Sequence, residues 1–277
     1  MTSSTPLVLT IAGFDPSGGA GIVADVRTIV QFGCRVAAAI TSLTFQNSAG
    51  VFGATHETAR SLRAQVVPVV AEQNVDAVKI GMLPTAELVS EVANLVREYR
   101  MPAPVIDPVL SSSSGYELME SGAIQIMAKE LWPLARLVTP NIPEAEFLTG
   151  AEISNEDEMR NAAAKLRHMG ARAVLIKGGH AEWETGAGQE SWKSKAVDLL
   201  DDGGEVSVLI GEWIDAPPVR GTGCMMSSAV AASLARGADL VAAVSAAKEY
   251  VASEIQNSKL KTQNSNLIAT LPSPSPS

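Results

Sequence analysis

Leu7-Val8-Leu9-Thr10-Ile11-Ala12-Gly13-Phe14, followed at once by Asp15-Pro16-Ser17-Gly18-Gly19-Ala20-Gly21, is the stretch whose reading decides the fold. A short apolar run bounded by turn residues reads as a buried strand. Glycines break it, and Ile22, Val23, Val26, Ile29 and Val30 then recur at helical spacing as far as Gly33. A buried strand, a glycine-rich turn and a helix open a β-α-β arrangement.

Outward from this unit the alternation continues. Strand-like runs recur at Val36–Leu43, Ala77–Ile80, Pro104–Ile106, Leu137–Val138 and Val174–Ile176. Helical patterns lie between them, near 57–72, 85–99, 120–131, 142–149 and 155–170. This predicts an α/β fold with a mostly parallel central sheet and helices on both faces. Ala196–Leu200 and Val206–Ile214 flank Asp201-Asp202-Gly203-Gly204, which predicts a hairpin and an antiparallel edge. Two helical segments follow, about 223–235 and 239–257. Without repeat or linker, residues 1–257 read as a single domain. Residues 258–277 are polar, end in alternating Ser and Pro, and read as a disordered tail.

Composition narrows the function. The chain has 277 residues, 46% of them hydrophobic, which is ample for one large core. A net charge of −9 argues against a nucleic-acid partner, which would want a basic face. Cys34 and Cys224, the two cysteines, do not make a secreted disulfide framework. Cys34 reads as a small buried hydrophobe. His56, His168 and His180 lack metal-ligand spacing, and His180 reads as structural. With neither a leader pattern nor a membrane-length apolar run, a cytoplasmic protein with no membrane partner is expected.

Ligands of open parallel sheets bind beyond the carboxyl ends of the strands. The polar residues gather at those ends: Asp15 with its glycine turn, then Asp107-Pro108-Val109, then Thr139-Pro140-Asn141-Ile142-Pro143-Glu144, then Lys177-Gly178-Gly179-His180. Gly221-Thr222-Gly223-Cys224 follows the hairpin and opens a helix. Two glycines there let successive N–H groups converge on one spot, where the helix dipole favours an anion. A thiol at a helix start is also expected to lose its proton more readily. The alternative is an ordinary helix start carrying a buried cysteine. Oxygen donors on Asn141 and Glu144 suit Mg²⁺, and Lys177 suits a phosphate. Equally, Asn141, Pro143 and Glu144 suit a helix N-terminus, and Asp107 a turn. Together these parts make a phosphoryl-transfer site, without the Walker A sequence of a P-loop kinase.

The ordered set Ala12-Gly13-Phe14-Asp15-Pro16-Ser17-Gly18-Gly19-Ala20-Gly21, Gln46-Asn47, Lys79-Ile80-Gly81-Met82-Leu83, Asp107-Pro108-Val109, Thr139-Pro140-Asn141 with Glu144-Ala145, Lys177-Gly178-Gly179-His180 and Gly221-Thr222-Gly223-Cys224 resembles the hydroxymethylpyrimidine/phosphomethylpyrimidine kinases of thiamine biosynthesis. The resemblance spans roughly 7–257 and implies a ribokinase-like three-layer sandwich, usually a homodimer. It implies ATP-dependent phosphorylation of 4-amino-5-hydroxymethyl-2-methylpyrimidine and then of its monophosphate, with Mg²⁺. By the same resemblance Gln46 reads the aminopyrimidine, and Gly13, Ala20, Asp25, Met82 and Val109 complete that pocket. Lys177, Asn141 and Asp107 serve the nucleotide, Asn141 and Glu144 the metal, and Cys224 with Gly221, Thr222 and Gly223 the transfer itself. Three departures from the family pattern stand out: Phe14 replaces a small polar residue, Ser111–Ser114 a mixed apolar loop, and Arg220 a histidine. Rival readings are a pyridoxine or pyridoxal kinase, a kinase restricted to the monophosphate, and a non-catalytic relative. A sugar kinase of the same superfamily would want Asp at 224.

Overall fold

The computed structural model describes residues 5–47, 49–112, 115–179 and 195–269, with backbone alone for 261–269. Among the described residues, nine strands form one sheet: β1 (Leu7–Phe14), β2 (Arg35–Asn47), β3 (Gly50–His56), β4 (Ala77–Ile80), β5 (Val105–Ile106), β6 (Leu137–Val138), β7 (Ala173–Lys177), β8 (Lys195–Asp202) and β9 (Glu205–Glu212). Their order across the sheet is β3-β2-β1-β4-β5-β6-β7-β8-β9. The six from β2 to β7 are parallel, while β3 and β8 run against them at the two sides and β9 pairs antiparallel to β8. The predicted β8–β9 hairpin is present. The second antiparallel edge was not expected: β2 runs four residues past Leu43 to Asn47, and β3 pairs back onto it.

Side-chain alternation sorts the core into two layers, as period-two geometry requires. Leu7, Leu9, Ile11, Val78, Ile80, Ile106, Val138 and Ile176 face α2 (Ala59–Glu72), α3 (Ala86–Glu98), α4 (Ser121–Ile126) and α6 (Glu156–His168). Val8, Ala77, Val105, Leu137, Ala173 and Leu175 face α1 (Gly21–Gln31), α7 (Thr222–Ala235) and α8 (Leu240–Ala269). Trp132 fills the first layer and is fully buried. α7 packs through Ala229, Val230, Ala231 and Ala232, so its backbone lies close to the sheet.

Two expected boundaries move. The helix predicted over 120–131 is α4 followed by a π-helical turn, Met127–Leu131, and a 3₁₀ turn through Pro133. α8 continues to Ala269, so the segment expected to be disordered from 258 is helical for twelve more residues. Lys, Gln and Leu are good helix formers, and the packed half of α8 nucleates the rest. Residues 270–277, His180, Ser113 and Ser114 lie outside the described residues. Among the described residues no helix is long and apolar enough to cross a membrane.

Candidate active site

β2 and β4 flank β1 on opposite sides, so the chain changes winding direction between β1 and β4. Open sheets part at such a switch point and leave a crevice. A cavity of about 700 Å³ occupies it, along the carboxyl rim. Its wall includes Gly13, Ala20, Gln46, Lys79, Met82, Asp107, Val109, Asn141, Glu144, Lys177 and the run Arg220–Cys224. The rim expected from sequence is thus brought together on one wall.

One end is built for an anion. α7 begins after Gly221, which has φ +77° and no side-chain cap on the helix behind it. Its first-turn N–H groups have no partner within the helix. A Cβ on Gly221 would lie 2.3 Å from the Gly19 carbonyl, so only glycine lets the two loops touch. A Cβ on Gly223 would lie 3.1 Å from Lys177 Nζ, so the lysine lies against the same corner. Lys177 Nζ donates to Asp107 Oδ1 at 2.7 Å. Burial pulls this ammonium down, but Asp107 and Glu144 more than compensate and hold its pKa above the usual value.

Asn141 and Glu144 do form the helix cap. Asn141 Oδ1 accepts from Glu144 N, and Glu144 Oε2 accepts from Asn141 N, both at 2.8 Å, at the start of α5 (Ile142–Thr149). The same carboxylate is also drawn on by the Leu110 N–H. Burial, partly opposed by Lys177 and reinforced by Asp107, pushes the Glu144 carboxyl up to about 7. Two carboxylates that repel each other beside one lysine suit a hard divalent cation that brings water and phosphate oxygens for the rest of its shell.

Cys224 departs from expectation. Burial raises its thiol to about 11; Lys79 and the Gly21 N–H pull the other way, but Asp25 and Asp107 add to the rise. The helix terminus does not win, because the half-buried thiol loses most of its hydration and stands near two carboxylates. Cys224 is a resident thiol, not a thiolate.

The first glycine turn is no phosphate cradle. Asp15, 1% exposed, accepts from Ser17 N, Ser17 Oγ, Gly19 N and Ala20 N, so those donors are spent. Gly13 lies against Met82: a Cβ there would meet its Sδ at 2.9 Å. Gln46 sits inside β2, and both ends of its amide are engaged: Oε1 by Arg220 at 2.6 Å and Nε2 by Thr44 at 2.7 Å. Phe14, Ser111 and Ser112 also line the cavity.

Asp25 is corrected. It does not line the cavity but lies one layer below it, on α1, fully buried. Its carboxylate takes Lys79 Nζ at 2.8 and 2.9 Å, Thr10 Oγ1 at 2.7 Å and Ser228 Oγ at 2.9 Å. Lys79 on β4 does reach the cavity, and sequence reasoning missed its role, as it missed Thr44. The signal was available: a lysine in the all-buried run Ala77-Val78-Lys79-Ile80 needs a buried acid, and α1 offers only Asp25. Burial pulls Lys79 down, but Asp25 outweighs it and the pKa is raised.

Comparison with known proteins agrees with this geometry. A family model described as phosphomethylpyrimidine kinase matches residues 15–268. A hydroxymethylpyrimidine/phosphomethylpyrimidine kinase of Streptomyces coelicolor is 44% identical over 90% of this chain and 88% of its own length. The thiamine biosynthesis bifunctional protein ThiED of Geobacter sulfurreducens is 42% identical over 90% of this chain, which spans about half (49%) of that longer protein. An ADP complex of Bacillus subtilis pyridoxal kinase superposes with TM-score 0.78 at 37% identity, covering 89% of this chain and 90% of that one. Sheet order, layers and these likenesses together define a ribokinase-like kinase fold, and the chain belongs to the phosphomethylpyrimidine kinase family.

Proposed function

We propose that the protein transfers the γ-phosphoryl group of ATP to the hydroxymethyl group of 4-amino-5-hydroxymethyl-2-methylpyrimidine, and a second one to the monophosphate. The observation that carries the reading is a single cavity with an uncapped helix N-terminus beside Lys177 at one end and a Gln46 amide at the other. Family membership supplies the chemistry this arrangement suits. The α7 N–H groups and Lys177 would hold the phosphoryl group in flight, where positioning and charge neutralisation supply most of the rate. Asp107 and Glu144, with the Asn141 amide, would hold Mg²⁺, which neutralises phosphate charge when bound.

Cys224 enters as a thiol. In the first transfer the hydroxymethyl proton must leave as the new P–O bond forms, and the minority thiolate of Cys224 is the acceptor at hand. In the second, the monophosphate is largely dianionic at neutral pH, with its second pKa near about 6, and brings its own nucleophilic oxygen. Gly13, Ala20, Met82 and Val109 would enclose the pyrimidine, with Gln46 reading its amine. Asp25 would act only through Lys79.

Likeness to a solved pyridoxal kinase favours one second reading, a pyridoxal kinase. An amide pairs with an aminopyrimidine edge, and pyridoxal lacks that amine. Steady-state assays with the hydroxymethylpyrimidine, its monophosphate and pyridoxal, each with Mg-ATP, test this; pyridoxal as the best substrate would overturn it. Gln46→Leu should lower pyrimidine kcat/KM by about 2–3 kcal/mol in transition-state terms. We also infer a homodimer through the β2–β3 edge, where Leu43, Phe45 and Phe52 are 43%, 53% and 68% exposed. Light scattering checks it, with Phe52→Lys expected to yield monomers. A cytoplasmic location, where ATP is supplied, is part of the same reading, and cell fractionation tests it.

A further inference from the structure

The Gln46 amide is held from both ends by groups that each permit only one orientation. Arg220 Nη2 donates to Oε1 at 2.6 Å, and a guanidinium has no acceptor, so oxygen must face it. At the other end, Thr44 Oγ1 donates its single proton to the Phe14 carbonyl at 2.8 Å. That hydroxyl can then only accept from Gln46, so nitrogen must face it, at 2.7 Å. Two independent partners therefore dictate the same polarity, and the usual ambiguity of an amide's two ends is removed.

Arg220 is itself pinned. Nη1 donates to the Asn47 carbonyl at 2.6 Å and to Ser17 Oγ at 3.1 Å, and Nη2 lies 3.4 Å from Asp15 Oδ2. The guanidinium thus joins the glycine turn, the end of β2 and the residue just before the Gly221 corner. A rigid fork is suited to this in a way a flexible ammonium is not. With these bonds made, Gln46 keeps one N–H and one oxygen lone pair for a ligand in the cavity.

We infer that Thr44 and Arg220 are positioning residues that lock Gln46 in one polarity, so that the site selects a heterocycle presenting a ring-nitrogen acceptor beside an exocyclic amine donor. This rests on the pyrimidine reading above. A ligand without the amine leaves Oε1 short of a partner, and a ligand with the reversed edge meets donor with donor. Sites built around buried polar contacts reject such ligands strongly.

The test compares kcat/KM for 4-amino-5-hydroxymethyl-2-methylpyrimidine with that for the same compound lacking its amine, using the whole protein and Mg-ATP. The wild type should prefer the amine by at least about 10²-fold. Thr44→Val and Arg220→Met should each cut that ratio by about tenfold, mainly through KM for the amino compound, while Thr44→Ser retains it. Melting temperatures confirm that each variant is folded; Thr44→Val is nearly isosteric and Arg220 is partly exposed. A wild type that discriminates, with both variants losing activity equally on the two compounds, overturns the inference alone. A wild type that uses both compounds equally well overturns the reading of Gln46 as well.

Discussion

Two lysine–aspartate pairs, Lys79–Asp25 and Lys177–Asp107, have similar lengths, 2.8 and 2.7 Å, and different situations. Both lysines are on strands and both line the cavity. Asp25 and Lys79 are wholly buried, and Asp25 accepts from Thr10 and Ser228 as well. Among the described residues, the Asp107 carboxylate takes a long 3.3 Å bond from Thr139 besides its lysine, and Lys177 keeps 13% of its side chain exposed beside Gly223. The first pair is saturated and can do nothing but hold. The second has unsatisfied capacity where phosphates are proposed to pass. A salt bridge becomes chemically useful when its partners are left incomplete.

Breaking the saturated pair should have the largest effect, and on stability. Asp25→Leu leaves Lys79 buried and unpaired, which costs about 3–5 kcal/mol; chemical denaturation measures it. Adding Lys79→Met should recover most of the loss. A single-variant cost under about 1 kcal/mol would show that water or relaxation replaces the acid, and the contrast between the pairs would fail.

Lys177→Met should reverse the pattern. Turnover should fall by about 10²–10³, the usual range for one preorganised donor. Its melting temperature should fall less than that of Asp25→Leu, because Lys177 and Asp107 both line the open cavity, where water can reach the carboxylate left behind. Equal damage to stability would make Lys177 a second structural pair.

Cys224 feels both pairs, and pH separates the two transfers. Its pKa is raised to about 11, so the competent thiolate is scarce at pH 7 and grows about tenfold per unit. Alcohol phosphorylation should rise across pH 7–9, and Cys224→Ser should flatten the profile. Monophosphate phosphorylation should stay flat above about pH 7, since its second pKa is near about 6. Profiles that rise alike on both substrates would remove Cys224 as a base.

The smallest change tests the second pair's room. Gly223→Ala places a Cβ 3.1 Å from Lys177 Nζ, displacing it by tenths of an ångström. KM for ATP should rise about fivefold, with normal stability. No change would mean that the lysine relaxes freely.

The sheet and its rim were legible because several strands end where apolar residues give way to glycine or acid, as at Phe14–Asp15, Ile80–Gly81 and Ile106–Asp107. β3 was not, since Gly50-Val51-Phe52-Gly53 exposes Phe52 and carries two glycines, the opposite of a buried strand. Asp25 was assigned to the cavity by the family resemblance alone. Only the alternation of β1 and β4 shows that Thr10 and Lys79 point to the α1 side, and that Asp25 meets them there. The Cys224 thiol was misjudged by weighing the helix dipole without the desolvation that overrides it. Arg220 was visible as a cation before the corner, but its grip on Gln46 spans 174 residues and belongs to the fold.

The contact between Gly221 and Gly19 has a consequence in time. The two loops touch backbone to backbone across 202 residues of chain. Ser228 closes the cluster around Asp25 from 203 residues away. At about 5–20 residues per second, a ribosome needs roughly 10–40 s to travel from one glycine to the other. Once residue 79 is made, and for the rest of that interval, a nascent chain owns Gln46, Lys79 and the glycine turn but has no phosphate corner. Its substrate side waits with one wall missing, and no chain interrupted before α7 has a site to use.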